Sequence, residues 1–237
     1  MRNSVLFLLF AVVFSLPSTQ AQFFRSKKMD KGSITYTLNV EESKDPNMAM
    51  VNNSTLKLVF HKGDLRATGA VMGGLMMGDF IMSSSSSKGL ALIQMMGEKT
   101  AMKIPSEDIK KAEKEMTNLD KLAKEFKDVQ GGDKEIAGYK CRKVFAQHPK
   151  DPTTKIAIYL TDKIDASAVS FMGDFSEKLG GFPLGVEVNS PEGKFSMLAT
   201  EIDKSTPLSS SFDMAIPEGY TEKTAQELQQ SAPTIGG

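Results

Sequence analysis

Apolar and polar residues alternate with a period of two along most of this chain, and that pattern restricts it to a fold built around a β-sheet. Between residues 32 and 40, for example, polar positions separate four apolar side chains, Ile34, Tyr36, Leu38 and Val40. Residues two apart lie on one face of a strand, so this alternation is typical of a half-buried strand. The same criterion predicts strands at 32–40, 55–61, 65–71, 79–82, 89–96, 99–104, 140–147, 154–161, 184–189, 194–203 and 209–216. Short turns such as 62–64 predict that neighbouring strands run antiparallel.

Two segments replace this alternation with the spacing of an amphipathic helix. Between residues 106 and 126 the apolar positions recur mostly at intervals of three or four, and Lys and Glu occupy the other face. A second helix is predicted at about 166–179. This order of elements predicts an α+β fold, in which a curved antiparallel sheet carries two helices on its concave side.

The first 21 residues have the parts of a secretory signal peptide. Arg2 precedes an uncharged apolar run at 5–16, and small residues ending at Ala21 provide a cleavage site. The run is shorter than the ~20 residues that cross a membrane as a helix. We therefore predict a periplasmic or secreted protein, cleaved near Ala21, that is not an integral membrane protein. The predicted organisation is a signal peptide at 1–21, a polar lead-in at 22–31, a single domain at 32–220 and a C-terminal tail at 221–237.

The composition offers little for catalysis or for cofactor binding. His61 and His148 are the only histidines and Cys141 is the only cysteine, which excludes a zinc site of clustered ligands and an intrachain disulfide. Alternation does not settle whether Cys141 is buried. No nucleophile-elbow, phosphate-loop or dinucleotide motif occurs. The 29 basic residues balance 29 acidic ones, which argues against nucleic acid or an anionic membrane surface as partner. We predict no catalytic residue, metal or cofactor.

Methionine is concentrated in one part of the chain. The sequence has 15 methionines, and a group of them lies between residues 72 and 102: Met72, Met76, Met77, Met82, Met95, Met96 and Met102. Residues 67–78 are uncharged and rich in glycine, which disfavours a regular strand interior. Methionine is flexible and polarisable, so it suits surfaces that accept varied shapes. The segment is either a mobile apolar wall around a hydrophobic ligand or an ordinary core that uses methionine. Cu(I) ligation by thioethers is a weaker alternative.

Four segments together carry a family resemblance. They are 32–36 (GSITY), 135–143 (EIAGYKCRK), 181–184 (GFPL) and 212–220 (FDMAIPEGY). In this order they resemble exported bacterial proteins of unknown function related to the GLPGLI proteins. The resemblance implies a fold similar to the outer-membrane lipoprotein carriers, an open half-barrel with helices in its concave face. Those carriers hold lipoprotein acyl chains there, but the family supplies no catalytic residue to transfer.

These observations predict an exported, non-enzymatic protein that binds a lipid or the acyl chain of a lipoprotein in an apolar cavity. The predicted wall consists of Leu56, Leu58, Phe60, Met76, Met77, Phe80, Met82, Leu92, Met102, Phe171 and Phe175. Apolar walls contribute binding energy through buried area. The alternative is a protein-interaction module of the cell envelope that uses a sheet edge or the Met/Gly segment. An enzyme that uses a histidine or paired carboxylates is the third and weakest alternative.

Overall fold

The computed structural model describes residues 27–116, 126–148, 151–169 and 173–231. The predicted signal peptide, the first half of the polar lead-in (22–26) and the last six residues of the tail lie outside these ranges. Residues 117–125 of the first predicted helix and Phe171 of the second also lie outside them.

Strands dominate the described part of the chain. They are β1 (Lys31–Ser43), β2 (Thr55–His61), β3 (Asp64–Val71), β4 (Met76–Ser83), β5 (Lys88–Met95), β6 (Glu98–Ile104), β7 (Lys127–Asp128), β8 (Lys134–Ile136), β9 (Tyr139–His148), β10 (Asp151–Thr161), β11 (Phe182–Ser190), β12 (Gly193–Asp203) and β13 (Thr221–Glu222). The α-helices are α1 (Ser106–Met116), α2 (Gly173–Leu179) and α3 (Ala225–Ser231). Ten of the predicted strands are confirmed, with boundaries that differ by at most three residues.

The strands form a large, open and curved sheet, so the molecule is mostly β with few helices. Their order across the sheet is β13-β6-β5-β4-β3-β2-β1-β12-β11-β10-β9-β7, and β8 pairs with β9. Neighbours are antiparallel as predicted, except that β13 runs parallel to β6. Register shifts between Thr35 and Tyr36 and between Val40 and Glu42 mark bulges in the pairing of β1 with β12. Bulges bend a strand and increase its twist, which curves the centre of the sheet.

Apolar side chains pack on both faces of the sheet. The face that carries Phe60, Phe80 and Met82 is called the front face here, and it holds the main core. Phe60, Ile34 and Leu65 are fully buried in that core, and Ile109 of α1 joins it. A second cluster combines Leu179 of α2 with buried residues of β9 and β10, Val144, Ile158 and Leu160.

The back face is covered by the chain that follows β12. Ile81, Leu90, Leu92 and Ala101 are buried there, and Met214, Ile216 and Tyr220 pack against them. The predicted strand at 209–216 is wrong, because this segment is a 3-10 turn at Ser209–Phe212 followed by irregular chain. An extended segment lying on an apolar face buries alternate side chains without pairing to a neighbour. Its sequence pattern therefore mimics that of a strand.

The second predicted helix is not one continuous element. A 3-10 turn at Ala166–Ala168 is capped by Asp165, whose carboxylate accepts from the amide of Ser167, and α2 is described over Gly173–Leu179. Val169 between them is fully buried, with φ −114° and ψ 87°, outside the helical region. The apolar spacing alone predicts a helix here, but Val169, which is β-branched, is buried with its backbone in a non-helical conformation.

Candidate functional site

Two glycines that face each other across β3 and β4 form the floor of a shallow trough on the front face. In the register of the sheet Gly69 pairs with Gly78, and the row continues to Leu56 on one side and to Ile93 on the other. Paired residues of an antiparallel sheet share a face. A Cβ built on Gly78 would meet no atom within 4 Å, and one on Gly69 would meet only the Thr55 carbonyl oxygen at 4.0 Å. The space above this pair, called the glycine trough here, is therefore open.

Apolar rows border the glycine trough on both sides. The row towards the core consists of Leu58, Ala67, Phe80, Ala91 and Met102, and it contains no charged residue. The row towards the open end of the sheet pairs Val71 with Met76 and Met76 with Met95. Burial decreases across these rows: Leu58 is buried, Phe80 is half-buried, and Met76 is 36% exposed. The apolar front face thus continues from the core into solvent.

Large apolar side chains surround the outer end of the trough. Leu75 is 62% exposed, Met96 89% and Ile93 37%. Together with Met76 they are called the methionine rim here. Met96 and Met72 lie in turns at positive φ, 51° and 54°, a conformation that non-glycine residues seldom adopt. The amide of Met96 donates to the carbonyl of Leu75 at 3.3 Å and Met76 follows Leu75 directly, so these exposed residues adjoin one another, as expected of a contact surface and not of isolated surface methionines.

A polar cluster supports the trough from the back face. Arg66 donates to both carboxylate oxygens of Asp79, Nε to Oδ1 at 2.9 Å and the terminal nitrogen to Oδ2 at 3.0 Å, and the Thr68 hydroxyl donates to the same carboxylate. Burial raises the pKa of the Asp79 carboxyl. The hydrogen bonds from Arg66 and Thr68 outweigh that effect and leave the pKa below its usual value. Asp79 is therefore ionised at neutral pH.

The structure divides the predicted wall residues between the two faces. By register, seven lie on the front face, Leu56, Leu58, Phe60, Met76, Phe80, Met82 and Met102. Met77 and Leu92 lie on the back face, because Met77 pairs with Ala70 and Leu92 pairs with Asp79. Phe171 lies outside the described residues, and Phe175 is a position within α2.

The sequence pattern places Gly69 and Gly78 in the Met/Gly segment, as part of a mobile wall, but it does not pair them with each other or join them with Ile93; in the structure both lie within regular strands. Glycine within two neighbouring strands is the signal that points to them, since it marks places where another group approaches the backbone closely. Recognising the trough also requires the register between β3 and β4, which alternation within each strand does not provide.

The described residues also bound three clefts, of about 360, 410 and 510 Å³, and no predicted wall residue lines any of them. His61, Asp165 and Ser167 lie together along the largest of the three. The Ser167 hydroxyl donates to Asp165 at 2.7 Å, which directs its proton to the carboxylate and not to the imidazole. That geometry differs from the nucleophile–base pair of a serine hydrolase.

Within the described ranges, no group of three or more His, Cys, Asp or Glu side chains is arranged to hold a metal ion. The described helices include none with the length and apolar character needed to cross a membrane.

Comparisons with known proteins give structural similarities only. No family model and no curated protein matches the sequence. The structure is similar to the lipoprotein LppX of Mycobacterium tuberculosis, with 8% identity and a TM-score of 0.40 over 76% of this chain and 90% of LppX. It is also similar to a chain of the MucA/MucB complex of Pseudomonas aeruginosa (11% identity, TM-score 0.35, 79% of this chain), of which it spans only 57%. A beta-barrel-like protein of unknown function from Brucella abortus gives 7% identity and a TM-score of 0.33 over 74% of this chain and 98% of that protein. These values identify no family, so the relation to the GLPGLI proteins stays a prediction.

Proposed function

We propose that this protein is an exported, non-enzymatic binding protein that holds a lipid acyl chain, free or as part of a lipoprotein, against the glycine trough. The observation that carries the proposal is the apolar front face that continues from buried Leu58, past half-buried Phe80, to exposed Ile93 and Met76. An acyl chain has no hydrogen-bonding group along its length. Its affinity therefore comes from apolar area removed from water, at about 25 cal/mol per Å².

The two components of the site suit such a ligand in different ways. Because Gly69 and Gly78 have no side chains, methylene groups can contact the backbone of β3 and β4 directly. Met76 and Met96 of the methionine rim supply unbranched, flexible side chains that adapt to chains of different length and unsaturation. A rigid β-branched wall would accept one shape only.

The helices are the third component of the proposal. Ile109 of α1 and Phe80 both lie within 3.4 Å of a Cβ built on Gly89, which puts α1 beside the row that borders the trough. Leu179 of α2 packs with Val144 and Ile158, whose register partners continue along the front face. We propose that both helices lie on the concave side of the sheet and that α1 flanks the bound chain.

The alternative function is protein docking on the same methionine rim. Docking by strand addition at a sheet edge is less favoured, because the outermost strands β7 and β13 have only two residues each. Short edge strands protect a sheet from pairing with another chain. A protein partner would therefore contact the rim.

Fatty-acid binding tests the proposal directly. The full chain is titrated with a fluorescent fatty acid, alongside Gly78→Val, which fills the trough, and Ala70→Val. The second substitution adds the same branched side chain to β3 on the back face, where Ala70 pairs with Met77. We expect Gly78→Val to weaken binding strongly and Ala70→Val to leave it within about two-fold, since only the first blocks the front face.

Native mass spectrometry of protein purified gently from the cell envelope is the complementary measurement. A bound lipid in the wild-type protein, lost in Gly78→Val, supports the proposal. No lipid and no fatty-acid binding would refute the acyl-chain proposal, and a stable protein partner lost on substitution of Met96 would favour docking. Cleavage near Ala21 is checked by N-terminal sequencing of the same preparation.

A further inference from the structure

Five lysines converge on one cleft at the opposite end of the strands from the methionine rim. The cleft has a volume of about 410 Å³ and is lined by Lys27, Lys31, Lys140, Lys163 and Lys204, together with Asp30 and three residues that form its floor, Met29, Gly138 and Tyr139. It is called the lysine cleft here. The lining carries five positive charges and one negative charge, whereas the whole chain has a formal net charge of zero. The positive charge is therefore concentrated locally.

Backbone contacts hold these lysines in place. The amide of Met29 donates to the carbonyl of Lys163 at 2.8 Å, and the amide of Asp165 donates to the carbonyl of Met29 at 2.9 Å. These bonds join the start of β1 to the segment that follows β10. Gly32 has φ 132°, and a Cβ there would lie 2.1 Å from the carbonyl oxygen of Asp203. Glycine thus permits the close approach that brings Lys31 near Lys204.

Neighbouring acidic groups neutralise only part of the charge. Lys27 pairs with Asp30 at 3.1 Å, Lys140 with Asp133 at 3.2 Å and Lys163 with Asp162 at 3.3 Å, all at the surface. Within the described residues, no carboxylate forms an ion pair with Lys31 or Lys204. The ammonium group of Lys204 lies instead 5.2 Å from the centre of the Tyr139 ring. Asp30 acts on Lys31 only through its field, without an ion pair, so the charges of Lys31 and Lys204 are the least neutralised in the described part of the cleft.

We propose that the lysine cleft binds a phosphate-bearing anion. Lysine presents a compact point charge without the planar geometry of arginine, so a set of lysines favours a ligand with several negative oxygens over a single carboxylate. The Tyr139 hydroxyl, whose partner is the weakly accepting sulfur of Met29 at 4.0 Å, is a further donor for a phosphate oxygen. Tyr36 of β1 pairs with Leu56 at the end of the trough row. Lys31 lies five residues before Tyr36, so the two residues are about 17 Å apart along β1. The lysine cleft is therefore separate from the proposed acyl site.

Two phosphate probes test this, pyrophosphate by calorimetry and phosphatidic acid by vesicle sedimentation. The full chain is titrated with pyrophosphate at low salt and is sedimented with vesicles of phosphatidylcholine, with and without phosphatidic acid. The cleft variant combines Lys31→Gln, Lys163→Gln and Lys204→Gln. The control variant combines Lys88→Gln, Lys110→Gln and Lys111→Gln, three exposed lysines outside the cleft that remove the same charge.

We expect the wild-type protein to bind pyrophosphate, the cleft variant to bind it roughly ten-fold or more weakly, and the control to bind within about two-fold, since each exposed charge contact contributes up to about five-fold. Binding to both probes identifies the phosphate group itself as the ligand. Binding only to phosphatidic acid vesicles, lost in the cleft variant, identifies a lipid headgroup. Equal losses in both variants, or no binding of the wild type to either probe, would overturn the proposal. Fatty-acid binding at the glycine trough is measured in a separate titration, so the failure of one proposal leaves the test of the other intact.

Discussion

Arg66 of β3 and Asp79 of β4 form a bidentate ion pair directly behind the glycine trough. Thr68 and Asp79 are partners in the register, and Gly69 and Gly78 are the next pair along the same two strands. Glycine weakens a strand because it adds no cross-strand side-chain contact. The ion pair and the Thr68 hydrogen bond supply on the back face the cohesion that the front face lacks. The proposed binding surface and its support thus occupy opposite faces of β3 and β4.

Replacing Asp79 by Asn should destabilise the protein in a pH-dependent way. At pH 7 we expect the free energy of unfolding to fall by about 2 kcal/mol, the size of hydrogen bonds to a charged group. The folded pKa of this carboxyl lies below the unfolded value of about 3.9, so the unfolded state binds more protons between the two values. The contribution is complete above the unfolded value and is lost as pH falls through the folded pKa. Urea unfolding between pH 7 and pH 3 measures the difference.

Asp162→Asn is the matched control for this prediction. Asp162 pairs with Lys163, but both side chains are more than half exposed, so the change in unfolding free energy should stay within about 0.5 kcal/mol. If the two variants lose the same stability, or if the loss in Asp79→Asn does not depend on pH, the support assigned to the Arg66 pair is wrong.

Gly78→Val should stabilise the fold even though we expect it to block the acyl site. A valine Cβ there meets no atom within 4 Å, and the residue lies within β4 at an ordinary strand φ. Restricting the unfolded chain and adding a contact with Ile93 should raise the unfolding free energy by about 0.5–1 kcal/mol. Gly97→Val is the comparison, because its site is equally open but has φ 93°. That variant should lose stability in the same urea titration.

Most strands of the sheet could be predicted from alternation. For some strands, however, the sequence does not show which side chains lie on the front face and which on the back face. Residues 80–82 are all apolar because β4 is covered on both faces, Phe80 and Met82 by the core and Ile81 by the segment at 214–220. Where both faces are buried the period of two disappears, so the sequence does not show which side chains share a face. For this reason the sequence predicts one wall for Leu92, Met77 and Phe80, whereas the structure places Leu92 and Met77 on the back face.

A site whose residues come from distant segments also cannot be predicted from local sequence patterns. The lysine cleft combines positions from 27 to 204, and only the pairing of β1 with β12 and the contact of Met29 with residues 163–165 bring them together. A near-neutral composition argues against nucleic acid or an anionic membrane surface as partner, but a net charge averages over the surface and does not reveal a local cluster of lysines. The second predicted helix shows a similar limit, since spacing does not reveal that Val169 is buried in a non-helical conformation.

Gly32→Ala should be one of the most destabilising single substitutions in the described chain. The added Cβ would lie 2.1 Å from the Asp203 carbonyl oxygen and 2.4 Å from Cε of Met29, at a φ of 132° that only glycine adopts easily. Separating β1 from β12 should cost about 2–4 kcal/mol. Thermal unfolding monitored by circular dichroism measures the loss. Gly78→Ala is the control, and a similar loss there would refute the steric explanation.

Cys141 should be inert in the native protein. Its side chain is fully buried, and burial raises the pKa of the thiol to about 11, so very little thiolate exists at pH 7.5. We expect a disulfide-exchange reagent to label it only after denaturant is added. A Ser85→Cys, Cys141→Ala variant places the thiol in an exposed turn and should react within the mixing time. Fast labelling of native wild-type protein would contradict the burial of Cys141.

Oxidation of the methionines should follow their exposure and should be suppressed by an acyl ligand. Met96 and Met76, exposed in the methionine rim, should form sulfoxides first under dilute peroxide, whereas Met82 and Met29, which are buried, should resist. Peptide mass spectrometry gives the rate at each residue. A bound fatty acid should slow oxidation in the rim of the wild-type protein, but not in Gly78→Val, in which the trough is filled. Met50, exposed and outside the rim, serves as the internal control, because protection there would indicate scavenging of peroxide by the fatty acid and not binding.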